Sequence, residues 1–131
     1  MYNNILIVDD SETSRMIIKK CLVMSGHSGA NYWEAEDGIK AMAILSSKPV
    51  DLVITDLNMP RMDGLTLVRK LRKGAMTKAM KVVVISSMGN QQIDAELQSL
   101  EVSSIIRKPV TPAKIIEAMG SEGGNGEGGD F

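Results

Sequence analysis

Three aspartates follow short apolar runs, in positions where their carboxylates could act together. Asp9 and Asp10 come directly after Ile-Leu-Ile-Val, and Asp56 comes after Leu-Val-Ile-Thr. Two more polar side chains end apolar runs, the hydroxyl of Ser86 and the ammonium of Lys108. Clustered carboxylates repel one another unless a hard cation neutralises them, and their oxygens suit Mg²⁺. Carboxylates, a divalent metal, a hydroxyl and an ammonium are the groups needed to hold a phosphoryl group in line with a nucleophile.

Each of these residues also has a simpler explanation. Aspartate is common at helix N-caps and in turns, so Asp9 or Asp10 could cap the first helix while Asp56 opens a turn. Ser86 could cap the following helix, and Lys108 could be an ordinary exposed lysine. The set is more specific than its members, because all five residues fall where predicted strands end.

Short aliphatic runs alternate with amphipathic segments along the chain, which indicates repeated β-α units and a parallel sheet. The pattern predicts strands near 4–8, 31–35, 51–55, 81–86 and 104–107. It predicts helices near 12–25, 38–46, 64–73, 91–100 and 112–119. The last helix has Thr111 as its N-cap and Pro112 at its first position. In an open parallel sheet the carboxyl ends of the strands form one edge, where ligands bind, so we expect the five polar residues to meet there.

Several motifs of the chain are shared with a known family. They are Val-Asp-Asp at 8–10, Glu-Ala-Glu-Asp-Gly at 34–38, Asp-Leu-Asn-Met-Pro-Arg-Met-Asp-Gly at 56–64, Ser86, and Lys108 followed by proline. With them the chain resembles the receiver domain of two-component response regulators, especially the CheY-like single-domain type. The resemblance implies a (βα)5 flavodoxin-like fold, a doubly wound α/β sheet of five parallel strands in the order 2-1-3-4-5.

The resemblance also implies how the acidic residues act. Asp56 would accept a phosphoryl group from the phosphohistidine of a sensor histidine kinase, or from a small donor such as acetyl phosphate. Asp10 and Asp56 would bind Mg²⁺ directly, and Asp9 would help through water. The backbone carbonyl of Asn58 would complete the protein's share of the ligands.

The phosphate-binding and switch positions follow from the same resemblance. Lys108 would pair with one phosphoryl oxygen, and the Ser86 hydroxyl would donate to another. The family usually has an aromatic residue three positions before the lysine, which turns inward on activation, but here that position is Ile105. The signal would pass to a downstream protein through a face at roughly residues 91–119, in a phosphorelay that could be of the chemotaxis type.

The composition fits one soluble domain without a strong charge bias. The chain has 131 residues, 44% of them hydrophobic, and a net charge of −1. No global field therefore favours nucleic acid or a membrane, and we expect no direct binding to either. The one basic cluster, made of Arg69, Lys70, Arg72 and Lys73, has the spacing of a solvated helix face. The single histidine, His27, lies in a predicted loop and has no partner for a catalytic triad.

The apolar patterns predict where several single side chains lie. Cys21, the only cysteine, falls on a helical apolar stripe and is expected to be buried as a small hydrophobe. Met16 and Met42 lie on apolar helical stripes and are expected in the core. Trp33 is expected to be a partly buried strand residue.

Location and domain boundaries are predicted from the ends of the chain and its cysteine content. One cysteine and no signal-peptide pattern predict a cytoplasmic protein. Residues 1–119 are expected to form the receiver domain, and the glycine-rich residues 120–131 a disordered tail. The domain is expected to be a monomer or a phosphorylation-dependent dimer.

Two other functional classes use a similar acidic pocket. An aspartate-nucleophile phosphatase would carry Asp-x-Asp-x-Thr after its first strand, and that pattern is absent here. A degenerate receiver could act as a phosphate-independent scaffold, but all the pocket residues are present. We therefore predict a signalling domain that catalyses only its own phosphorylation and dephosphorylation.

Overall fold

The computed structural model describes residues 2–87 and 89–127, with side chains described as far as residue 119. Five parallel strands form one sheet in the order β2-β1-β3-β4-β5. The strands are β1 (Asn4–Val8), β2 (Asn31–Ala35), β3 (Leu52–Asp56), β4 (Lys81–Ser86) and β5 (Ser104–Arg107). The helices are α1 (Glu12–Leu22), α2 (Gly38–Leu45), α3 (Gly64–Lys73), α4 (Gln91–Ser99) and α5 (Pro112–Glu127). The predicted fold class and strand order are confirmed.

Apolar side chains cover both faces of the sheet, which explains why the strand sequences are continuously aliphatic. Along β1, Ile5 and Ile7 join the cluster that packs under α1 and α5. Leu6 and Val8 point the other way, into the cluster under α2, α3 and α4. The carboxyl edge of the sheet is therefore held from both sides by packed helices.

Polar side chains fix the starts of the helices at that edge. The Asp37 carboxylate accepts a hydrogen bond from the backbone N–H of Lys40 (2.9 Å) at the start of α2. Asp63 does the same for α3. Thr111 accepts from the N–H of Lys114 (3.2 Å), as predicted for α5. Satisfying these otherwise unpaired N–H groups sets where each loop at the edge ends.

Helix α4 differs from its neighbours in how it is attached. Its only fully buried side chain is Leu97. Ion pairs hold it from both sides, Arg69 of α3 with Glu96 (2.6 Å) and Arg107 of β5 with Asp94. The attachment of α4 therefore combines the packing of Leu97 with charged contacts on both sides.

Arg72 departs from the predicted solvated face of α3. Its guanidinium donates to the carbonyls of Leu100 (2.6 Å) and Met80 (2.9 Å), beyond the ends of two other elements. It is a partly buried structural residue, while Arg69 and Lys70 are exposed as predicted.

The end of α1 also differs from the prediction of a helix over 12–25. The helix ends at Leu22 and continues as a π-helical turn, Val23–His27, in which Gly26 has a φ of 102°. That left-handed conformation suits glycine. The prediction that His27 lies in a loop was wrong, because His27 is the last residue of this helical turn. Its ring is buried and stacks on Tyr2 with centroids 6.4 Å apart.

Most of the predicted burial is confirmed. Cys21 is buried, and Met42 and Trp33 are partly buried against the core. Met16 was predicted in the core, but 61% of its surface is exposed. The stripe of α1 that faces the sheet passes through Ile18 and Leu22, and Met16 lies to one side of it.

Helix α5 is described as far as Glu127, past its predicted end at 119. The glycines after Met119 weaken a helix, which is why the sequence predicted an earlier end. Residues 128–131 of the predicted disordered tail lie outside the described residues, and the division at 119 stays a prediction. Within the described part of the chain, no helix has the length and apolar character needed to cross a bilayer.

Candidate functional site

The carboxyl ends of the two central strands bring the three predicted aspartates together. Strands β1 and β3 are neighbours, with Val8 opposite Thr55, so the residues that follow lie side by side. Carboxylate oxygens of Asp9, Asp10 and Asp56 all lie within 4.8 Å of one another. Asp9 and Asp56 are buried, with 1% and 4% of their surfaces exposed, and Asp10 is exposed. The cluster thus has two covered carboxylates and one that faces solvent.

The environment of Asp9 disfavours its charged form. Burial is the main cause that raises the pKa of the Asp9 carboxyl, and the nearby charges of Asp56 and Asp10 raise it further. A hydrogen bond from the N–H of Ser11 and the charge of Lys108 oppose this rise. Negative charge is therefore in excess at this point of the molecule.

One oxygen of the cluster has no hydrogen bond partner. Asp9 Oδ1 accepts from the N–H of Ser11 (2.9 Å), but the buried Oδ2 accepts no hydrogen bond from the described residues. The ammonium Nζ of Lys108 is 3.9 Å from this oxygen. A buried carboxylate oxygen that accepts no hydrogen bond, in a cluster of three carboxylates, fits a hard divalent cation such as Mg²⁺.

Lys108 lies beside the cluster, directly after β5. Its Nζ is 3.3 Å from Asp56 Oδ2. Its backbone N–H donates to the carbonyl of Ser86 (2.9 Å), which links the ends of β4 and β5. The bond between Lys108 and Pro109 is cis. The ammonium is thus placed within reach of any group attached to Asp56.

The two predicted switch positions lie on neighbouring strands. Ser86 ends β4, is 3% exposed, and lines a cavity of about 200 Å³ together with Leu57 and Asn58. Ile105, in β5, lies opposite Val84 of β4. It is partly buried against the cluster under α2, α3 and α4. Asp56 of β3 lies opposite Ile85, so Ser86 is the residue after the β4 partner of Asp56, and Ile105 lies one strand further away.

Sequence comparison decides the family. Residues 5–120 match the model of a protein family described as "Response regulator receiver domain". The chain belongs to this family. Receiver domains are signalling domains, so the coarse function predicted from the motifs is confirmed.

Curated relatives of this receiver domain carry chemotaxis names. The "Chemotaxis protein CheY homolog" of Campylobacter jejuni is 36% identical over 125 residues, which is 95% of each chain. The "Chemotaxis protein CheY-3" of Vibrio cholerae is 36% identical over 115 residues, covering 88% of this chain and 87% of the relative. These proteins have nearly the same length as this chain, and their similarity shows a CheY-like receiver.

Solved structures support the fold. The CheY4 structure of Vibrio cholerae matches with a TM-score of 0.80 and 23% identity, covering 92% of this chain and 98% of that one. A response regulator receiver protein from Pseudomonas putida matches with a TM-score of 0.81 and 25% identity, covering 92% of this chain and 98% of that one.

Two residues of this receiver domain support the site although the sequence reasoning did not single them out. A Cβ on Gly64 would lie 2.2 Å from the carbonyl oxygen of Asp56, so α3 starts in contact with that strand end. Arg15 donates to the carbonyl of Asp9 at 2.6 Å. The contact of Gly64 lies within the motif at 56–64, so that motif was a signal for it. The contact of Arg15 spans six positions across the turn between β1 and α1, and the residue types alone do not indicate it.

Proposed function

We propose that this receiver domain accepts a phosphoryl group on Asp56 with the help of Mg²⁺, and then changes a protein-binding face. The observation that carries the proposal is the position of the Asp56 carboxylate. It is buried beside Asp9 and Asp10, and the Lys108 ammonium lies 3.3 Å from its Oδ2. The simple explanations, a helix cap and an exposed lysine, do not account for this convergence.

The chemistry needs one nucleophile and the neutralisation of charge. A carboxylate oxygen of Asp56 attacks phosphorus and forms an O–P bond. The P–N bond of a phosphohistidine breaks as this bond forms, or the P–O bond of acetyl phosphate breaks and acetate leaves. Lys108 pairs with a phosphoryl oxygen and stabilises the negative charge of that oxygen in a site that is partly shielded from water.

The acidic residues would hold the metal. Asp10 and Asp56 would be direct ligands, Asp9 would act through water, and the backbone carbonyl of Asn58 would join them. When bound, Mg²⁺ neutralises charge on the transferred group and helps to align it with the acceptor. The assignment is supported by Asp9 Oδ2, which accepts no hydrogen bond from the described residues, and by the raised pKa of Asp9.

The response would start at Ser86. A phosphoryl group adds about −1.5 to −2 charge and strong acceptor oxygens, and the Ser86 hydroxyl would donate to one of them. The inward movement of its loop would then reach α4, β5 and α5, roughly residues 91–119. Ile105 offers less area than the usual aromatic residue and no hydroxyl, so the change at that position would be one of packing alone.

The partners follow from this chemistry. A sensor histidine kinase would supply the phosphoryl group, and a downstream protein would bind the face at 91–119. The chemotaxis names of the relatives favour a chemotaxis-type relay, which we place in the cytoplasm. The net charge of −1 favours no direct contact with nucleic acid or membrane.

The test uses acetyl phosphate, Mg²⁺ and intact-protein mass spectrometry. We expect a mass gain of one phosphoryl group in the wild type and none in Asp56→Asn. Asp51→Asn is a matched control, because Asp51 precedes the same strand at the opposite edge of the sheet and contacts the N–H groups of Asn3 and Asn4. It should be phosphorylated like the wild type.

Other outcomes would point to the other classes. No mass gain with acetyl phosphate or with a phosphorylated kinase would favour a scaffold. Sustained turnover of unrelated phosphate esters would favour a hydrolase. A gain that persists in Asp56→Asn would place the acceptor elsewhere.

A further inference from the structure

Arg15 links the turn that carries Asp9 and Asp10 to β2, an edge strand of the sheet. It lies in α1, and 15% of its side chain is exposed. Its Nη1 donates to the backbone carbonyl of Asp9 (2.6 Å), and its Nε donates to the carboxylate of Glu34 in β2 (2.8 Å). The planar guanidinium has donors in a fixed fork, so it can hold both partners at the same time.

The contact with Arg15 completes the fixation of Asp9. The N–H of Asp9 donates to the carbonyl of Ala35 (3.0 Å), and its Oδ1 accepts from the N–H of Ser11 (2.9 Å). With its carbonyl bound by Arg15, only Oδ2 has no hydrogen bond among the described residues. The protein thus immobilises the residue and leaves one oxygen for a ligand.

The same contact orients the neighbouring aspartate. The peptide group between Asp9 and Asp10 is planar, so fixing its carbonyl also fixes the bond that leads to the Asp10 Cα. The Asp10 side chain is exposed, and its direction depends on the peptide from which it projects. Arg15 therefore acts on two carboxylates of the cluster through a single carbonyl.

We infer that Arg15, held in turn by Glu34, is a positioning residue for the Mg²⁺ site of this receiver domain. The inference rests on the proposed function, because it assumes that the acidic cluster binds the metal. It also gives a role to Glu34, the first residue of the motif at 34–38. In metal sites, residues that orient the ligands commonly change affinity by 10- to 100-fold when they are removed.

Charge and positioning predict opposite effects for the loss of Arg15. If Arg15 acted only through its charge, removing a cation near the carboxylates would strengthen the binding of Mg²⁺. If Arg15 orients the turn, removing it would weaken binding in spite of that gain. An ordinary surface ion pair contributes little to stability and would leave the affinity for Mg²⁺ unchanged.

The experiment measures Mg²⁺ binding to the unphosphorylated chain by isothermal titration calorimetry at fixed ionic strength. We expect the Kd of Arg15→Met to rise about tenfold, at the lower end of the range for orienting residues. Arg15→Lys keeps the charge but has no fork, so its Kd should lie between those of Arg15→Met and the wild type. Arg69→Met is the matched control, because Arg69 also pairs with a glutamate (2.6 Å) but joins α3 to α4. Its Kd should equal that of the wild type.

Thermal unfolding of each variant separates positioning from loss of the fold, and Arg15→Lys decides the question if Arg15→Met does not fold. Unchanged or tighter binding in the folded Arg15 variants would overturn the inference and leave the proposed function standing. A wild type that binds Mg²⁺ but takes no phosphoryl group would overturn the proposed function alone. A wild type that binds no Mg²⁺ would overturn both.

Discussion

The contact between Gly64 and the end of β3 gives the most direct test of how the fold positions the acceptor. A Cβ added to Gly64 would lie 2.2 Å from the carbonyl oxygen of Asp56 and 2.9 Å from the Cα of Leu57. Both are backbone atoms, so no side-chain rotation can relieve the clash. The substitution Gly64→Ala therefore has to move the start of α3, the end of β3, or both.

The size of the effect follows from the size of that movement. Real Cβ atoms stay at least 3.0 Å from such neighbours, so the two segments must separate by the difference from 2.2 Å, which is about 0.8 Å. A misplacement of about 1 Å at reacting groups can lower a rate on the order of 100-fold. Overpacking of this kind costs about 1–3 kcal/mol of stability. We expect Gly64→Ala to fold, and to be phosphorylated about tenfold to 100-fold more slowly.

The assay is the rate of phosphorylation by acetyl phosphate at saturating Mg²⁺, read by mass. Gly29→Ala is the control, because a Cβ at Gly29 meets no atom within 4 Å. It should react at the wild-type rate. A rate for Gly64→Ala within about twofold of the wild type would refute the argument that this close approach sets the position of Asp56.

Three further predictions concern stability, all measured by urea denaturation. Asp9→Asn should stabilise the metal-free protein at pH 7, because the raised pKa of Asp9 means that its charged form destabilises the fold above that pKa. The gain in stability should shrink as the pH falls through the Asp9 pKa. A loss of stability at pH 7 would contradict this prediction. Burial lowers the pKa of His27, so the unfolded chain takes up the proton first and stability should fall as the pH drops below about 6.5 towards the folded pKa. His27→Phe should lose this part of the pH dependence, and an unchanged slope would exclude His27 as its source. Arg72→Lys should lower the free energy of unfolding by about 2 kcal/mol, because the single ammonium of the shorter lysine side chain cannot reach the same carbonyls. Arg69→Lys, on the exposed side of α3, should leave the stability unchanged.

The sheet and its order could be predicted because β1 and β3 are continuous aliphatic runs that end in aspartate. The start of α5 was also readable, since Thr111 and Pro112 form a local signal. The features that were missed are those decided by distant contacts. Arg72 looked solvated on its helix, yet its partners are carbonyls near Leu100 and Met80.

The same distinction applies to the site. The convergence of the acidic residues follows from one rule, that parallel strands end at one edge, and the structure brings them to within 4.8 Å. The support around them does not follow from such a rule. Arg15 and Glu34 are 19 positions apart, and their contact depends on how α1 packs beside β2. The π-helical turn after Leu22 had only Gly26 as a local sign.

The way α4 is attached has a consequence for the environment in which the domain works. Helix α4 has one fully buried side chain, and elements with few buried apolar contacts open at lower free energies than the rest of a fold. The bonds from its Glu96 and Asp94 to Arg69 and Arg107 are ionic and partly open to water, so dissolved ions weaken them while the apolar core is hardly affected. A rise in salt concentration thus loosens the contacts of α4 with its neighbours without any change in the amount of phosphate on the protein.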